Sequence, residues 1–156
     1  MMNILPITYN KKDFLPLLLI ADEQESMIDQ YLENGEMFAG FKNNLAIAVC
    51  VVIFLNEETI EIKNLAIHPN YQHQGYGKIM INFICQQFKG KYKNLLVGTG
   101  NSPLTIPFYE KLGFLYSHQI PNFFIDNYDH PIIEDGIQLV DMIYLKKTLI
   151  NNKKNI

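Results

Sequence analysis

The sequence predicts an α/β domain of the α+β kind, and three observations carry that prediction. Apolar, β-branched stretches at residues 37–42, 45–55 and 59–68 are separated by the pairs Asn43-Asn44 and Asn56-Glu57, the pattern of an antiparallel meander. An apolar repeat at helical spacing follows from Gly75 to Phe88,. A further strand, helix and long strand occupy the remainder. With 156 residues, 48% of them apolar and 19% charged, the chain fits one domain over residues 1–150 with a polar, frayed tail at 151–156.

The elements follow in order. Residues 3–8 alternate loosely and read as a short strand. Residues 12–19 suit a helix interrupted near Pro16. Residues 22–32 suit another: Asp22 can cap it, Glu23 and Glu25 fit its first turn, and Met27, Ile28, Tyr31 and Leu32 share one face, with Asn34-Gly35 ending it,. In the third meander strand, Ile60 and Ile62 share one parity while Leu65 and Ile67 take the other. Side chains alternate along a strand, so a β-bulge near Lys63-Asn64 would put all four on one face. A strand buried on both faces is the alternative. The helix at 75–88 carries the stripe Ile79, Met80, Phe83, Ile84 and Phe88. Residues 95–98 form a strand, residues 104–112 a helix ended by Gly113, and residues 137–145 the last long strand after the turn Glu134-Asp135-Gly136.

Composition limits the function. A formal charge of −3 argues against nucleic acid as the main partner, because phosphate binding needs a basic surface. Cys50 and Cys85 each sit in an apolar run and read as small buried hydrophobes in a reducing compartment. The N-terminus lacks a charged start followed by a long apolar stretch, and the runs at 15–20 and 45–55 are too short to cross a bilayer. A soluble, cytoplasmic protein without membrane partners is the expectation. His68 and His73 are five residues apart with no further ligand near, which makes a metal site improbable.

The most informative segment runs from His68 to Lys78. Between a strand and a helix stand Gln72, His73, Gln74, Gly75, Tyr76, Gly77 and Lys78. Glycines let the backbone approach a ligand, the helix start presents unpaired N–H groups to an anion, and Lys78 adds positive charge. A dinucleotide loop would want a small residue where Met80 stands, and an NTPase loop a hydroxyl residue where Ile79 stands. Alone, Gly-x-Gly at a helix start reads first as a tight turn with close helix packing.

Two motifs in order change that balance. Gln72-x-x-Gly75-x-Gly77 resembles the Q/R-x-x-G-x-G/A signature of the GNAT acetyltransferases. The segment from Asn101 to Phe114, with Tyr109 on its helix and Lys111-Leu112-Gly113-Phe114 at its end, resembles that family's second signature. Pro107 departs from it and implies a helix that is kinked or begins late. The C-terminal third is similar to a bacterial, YvbK-like branch of the superfamily.

The resemblance implies a GNAT fold: a mixed, mostly antiparallel central sheet with a bulged, splayed strand and helices on both faces. It implies acetyl-CoA as co-substrate, no metal, and an amine acceptor. The backbone of Leu65, Ala66 and Ile67 would pair with the pantetheine amides, and residues 72–78 would hold the pyrophosphate. Asn101 would bond the pantetheine arm, and Tyr109 would donate a proton to the departing thiolate. Glu61 is the implied base, or else a strand carboxylate paired with Lys63. Many relatives dimerise, so a homodimer is open, as is a coenzyme A-binding regulatory module without catalysis. The loop with Asp126 and Asp129 could draw a cationic amine. Acyl-chain preference would depend on the space near Asn64 and Leu65.

Overall fold

The computed structural model describes residues 1–149; the tail expected at 151–156 lies outside them. Strand β1 (Asn3–Ile7) leads through a short 3-10 turn into α1 (Leu15–Ala21) and the single-turn α2 (Glu25–Ile28). The meander β2 (Glu36–Lys42), β3 (Leu45–Phe54) and β4 (Thr59–Ile67) follows, then α3 (Tyr76–Phe88), β5 (Asn94–Thr99) and α4 (Thr105–Lys111). The chain closes with β6 (Leu115–Ile120), α5 (Phe123–Asn127), the two-residue strands β7 (Ile133–Glu134) and β8 (Ile137–Gln138), and β9 (Met142–Thr148).

Seven strands form one sheet in the order β1-β2-β3-β4-β5-β9-β6. Every neighbouring pair is antiparallel except β4 and β5. Helices cover both faces. One face buries Ile60, Ile62, Leu95, Val97 and Leu145 beneath α3 and α4, together with Met80, Ile81, Ile84 and Phe114. The other is divided: Leu17, Leu18, Ile28 and Leu32 cover β2–β4, while Phe124, Ile132 and Leu139 cover β5 and β9.

The structure corrects several expectations. The helix expected at 22–32 is one turn, Glu25–Ile28. Asp22 takes an extended conformation that ends α1 rather than capping a helix. Beyond it, the carbonyls of Leu32, Glu33 and Gly35 converge on the Lys11 ammonium at 2.9, 3.2 and 2.7 Å, which a continuing helix would not allow. Pro16 does not interrupt a helix but lies in the first turn of α1, where a missing N–H costs nothing,. The strand expected at 137–145 breaks between β8 and β9, because residues there bond to loops instead: Leu139 N donates to Ile132 O and Val140 O accepts from Phe124 N. In α3, Ile79 is exposed and Ile81 takes its place in the buried stripe. Cys50 is buried as expected, whereas Cys85 is only half-buried.

Candidate active site

The bulge in β4 creates the site. Opposite β3, Val51 pairs with Asn64 and Val52 with Ile62, so Lys63 has no partner across the ladder. Ile60, Ile62, Leu65 and Ile67 therefore all pack toward α3, as their parity required. The same extra residue turns β4 away from β5. The two pair only over Thr59–Ile62 with Asn94–Val97; beyond that, Leu65, Ala66 and Ile67 keep β3 on one side and, among the described residues, no strand on the other.

A cavity of about 680 Å³ fills the resulting gap. Its lining includes Ile62–Leu65 of β4, Val97–Gly100 from the last β4–β5 pair onward, and Tyr109 of α4. It also includes Asp22, Tyr31 and Tyr128, which belong to the opposite face. The cavity thus passes through the sheet where β4 and β5 part.

At its margin α3 begins. Gly75 precedes the helix with φ 91, a left-handed conformation that other residues adopt only with strain, and no side chain of the described residues caps the helix,. A Cβ on Gly75 would meet nothing within 4 Å, so this backbone is open to a ligand. Gly77 differs: a Cβ there would stand 3.1 Å from Phe108 Cζ, so it serves the packing of α3 on α4. Gln72, His73, Gln74 and Lys78 are exposed, while Tyr76 is buried and its hydroxyl accepts from Lys42 Nζ at 2.7 Å. Gln72 Nε2 donates to Ile67 O at 3.0 Å, tying the loop before α3 to the end of β4. Uncapped helix amides beside an unpaired strand edge fit a ligand that carries both a diphosphate and amide groups.

Helix α4 begins at Thr105, which resolves the Pro107 departure. Proline is third in the helix, within the turn whose N–H groups lack intrahelical partners,. Ser102, almost fully buried, caps it by accepting from the N–H groups of Leu104 and Thr105 at 3.2 and 3.4 Å. Asn101 is left exposed and is not part of the cavity lining. Tyr109 is 5% exposed and held edge-on by Phe108 and Phe114, with centroids 5.0 and 5.3 Å away. Burial holds its hydroxyl well above the ordinary tyrosine range, so it remains a proton donor at neutral pH,.

Glu61 points away from Ile60 and Ile62, yet it is 6% exposed and does not line the cavity. Lys63 does line it, and its Nζ lies 3.6 Å from Glu61 Oε2. Burial raises the proton affinity of Glu61, opposed in part by Lys63, His118 and the Tyr144 hydroxyl. Tyr144 is itself pushed up to about 12, by burial first and then by Glu61.

Three carboxylates do line the cavity, Asp22, Glu23 and Glu134, and Asp22 is the one held by two tyrosines. Its Oδ2 accepts from the Tyr31 hydroxyl at 2.9 Å and its Oδ1 from the Tyr128 hydroxyl at 2.7 Å. Sequence reasoning missed it because an aspartate before a helical stretch reads first as a cap. Tyr128 comes from 106 residues further along the chain, and no local pattern marks such a pairing. Asp126 and Asp129 are exposed and outside the lining; Asp129 and Glu23 instead flank the His130 ring at 2.6 and 2.9 Å. Among the described residues, no group of three or more His, Cys, Asp or Glu converges as a metal site, and no helix is long and apolar enough to cross a membrane.

Comparison with known proteins agrees with this geometry. Residues 33–115 match the family model described as acetyltransferase (GNAT) domain. The chain is 34% identical over 131 residues to the uncharacterized N-acetyltransferase YvbK of Bacillus subtilis (strain 168), covering 83% of this chain and 84% of that protein. It superposes with a TM-score of 0.89 on a GNAT family acetyltransferase from Elizabethkingia anophelis with acetyl-CoA bound, at 40% identity, covering 94% of this chain and 97% of that one. A Bacillus subtilis acetyltransferase in complex with CoA gives a TM-score of 0.87 at 31% identity, covering 96% and 100%. The chain therefore belongs to the GNAT family of acetyl-CoA-dependent acyltransferases.

Proposed function

We propose that the protein moves an acetyl group from acetyl-CoA to a primary amine, by direct attack of the amine on the thioester. The parting of β4 from β5 beside the uncapped start of α3 is the observation that supports this reading best. In it, the first amides of α3 and the backbone and side chains of residues 72–78 take the pyrophosphate, Lys78 adding charge from its exposed position. The unpaired edge at Leu65, Ala66 and Ile67 takes the pantetheine amides, with Asn101 bonding the same arm.

The acceptor must first lose a proton, since amines of the lysine type titrate near ~10.4. Glu61 accepts that proton through water, because its carboxylate lies behind Lys63 rather than on the cavity wall. Its raised proton affinity makes it a stronger base than an exposed glutamate,. The amine nitrogen then bonds to the carbonyl carbon, the carbon–sulfur bond breaks, Tyr109 gives its hydroxyl proton to the departing sulfur, and the proton the nitrogen sheds as the amide forms restores the Tyr109 hydroxyl.

Following free thiol while the protein is incubated with acetyl-CoA and a panel of primary amines tests this reading. Amine-dependent thiol release is the expected result. Coenzyme A binding without release across the panel would instead support a binding module.

A further inference from the structure

The acyl-transfer reading leaves open which amines the cavity accepts, and the inference below rests on that reading. Asp22 is fixed from several sides. Tyr31 and Tyr128 each spend their one hydroxyl proton on it, at 2.9 and 2.7 Å. The Tyr31 hydroxyl in turn accepts from Asn64 Nδ2 at 3.1 Å, and Asn64 also donates to Leu18 O at 3.0 Å. A carboxylate takes about four hydrogen bonds, so capacity remains on both oxygens of Asp22. Burial raises the proton affinity of Asp22, and the two tyrosines, the Lys63 charge and the Gln24 backbone N–H counter it only in part. A partly desolvated carboxylate held in one orientation gains most from a cation brought to it.

Two further observations point to such a cation. Asn64 is 2% exposed, and its Oδ1 has no donor among the described residues, although the residue lines the same cavity. The charge of the lining is also unbalanced: Asp22, Glu23 and Glu134 face Lys63, whose ammonium is already drawn to Glu61. Part of the same lining is apolar. Phe124 and Tyr128 stack with centroids 5.7 Å apart, and Ile132, Leu139 and Met142 continue the surface.

We propose that Asp22 receives the ammonium of the acceptor, with Asn64 Oδ1 as a second acceptor, and that the acceptor is a monocationic amine whose aryl or alkyl body lies against Phe124 and Tyr128. An amine that carries its own carboxylate is disfavoured, because that group would enter a wall of like charge. A charge-assisted hydrogen bond contributes about 1.5–3 kcal/mol, so the preference for a cation is about tenfold or more.

Calorimetry on the coenzyme A-loaded protein tests this with three probes: phenethylamine, its neutral isostere phenethyl alcohol, and phenylalanine. The wild-type chain should bind phenethylamine about tenfold or more tighter than either of the others. Asp22→Asn, which keeps an oxygen for one tyrosine, should erase the preference while coenzyme A affinity stays unchanged. Tyr128→Phe, which keeps the charge, should retain it. A merely structural Asp22 would alter melting temperature without altering selectivity between probes. Equal wild-type affinity for amine and alcohol, no binding of phenethylamine, or a preference that survives Asp22→Asn would each overturn the proposal. Should coenzyme A itself fail to bind, the acyl-transfer reading falls instead, and the same titration of the free chain still decides the role of Asp22.

Discussion

Gly77 and Phe108 touch across the junction of α3 and α4, so closely that a methyl group on residue 77 would lie 3.1 Å from the phenylalanine ring. The second glycine of the anion loop is thus a packing residue, and it sets where α4 and Tyr109 stand. Gly77→Ala should gain about 1 kcal/mol of helix propensity and lose about 1–3 kcal/mol to overpacking. The expected outcome is a small loss of stability with a larger loss of turnover, as Tyr109 moves with its helix. Gly75→Ala should behave differently, losing about 1–2 kcal/mol to left-handed strain with no packing change. Urea unfolding and turnover measured on both variants separate the two roles.

Tyr109→Phe should lower turnover by about 100-fold or more, the scale of a lost general acid, with coenzyme A affinity unchanged. The ring keeps its contacts with Phe108 and Phe114, so its unfolding midpoint should stay close to that of the parent. Steady-state rates and calorimetry on the same preparation check both halves. Undiminished turnover would remove the hydroxyl from the mechanism.

Glu61 and Asp22 predict a pH dependence of defined sign. Burial raises both above their ordinary values of 4.5 and 3.8, so the folded chain holds these protons more tightly than the unfolded one. Their stabilising contribution is complete below those values and is lost as pH rises through the raised ones. Glu61→Gln should flatten this fall in the denaturation profile. In the rate profile it should also abolish an acid limb that lies above the ordinary glutamate range. Lys63, His118 and Tyr144 surround Glu61 and each favours its charged form, so Lys63→Met should move that limb upward.

Lys11 is 7% exposed and donates to three carbonyls that close the segment after α2. Lys11→Met leaves those acceptors without a donor and should cost about 2–4 kcal/mol by chemical denaturation. Coenzyme A affinity should be retained, because none of these atoms lines the cavity.

The coenzyme half of the site was legible in the sequence because its signals are local. The parity conflict between Ile62 and Leu65 pointed to a bulge, with a strand buried on both faces as the alternative, and the loop from Gln72 to Lys78 is read within one turn of chain. The roles of these residues remain proposals, but their placement follows from neighbours in sequence. The acceptor half was not legible. Asp22, Tyr31, Asn64 and Tyr128 come from four separate segments, and each had a plausible local reading as cap, helix face, strand residue or turn. Lys11 was invisible for the same reason: its acceptors lie 21 to 24 residues away. Long-range polar pairing leaves no periodicity to detect.

The four rungs that join β4 to β5 have a mechanical consequence. They act as the spine of an open book, with β1–β4 as one leaf and β5, β9 and β6 as the other. A molecule lodged between the pages braces both at once, so occupancy should slow amide exchange at Ala66 in one leaf and at Thr99 in the other, though the two never pair.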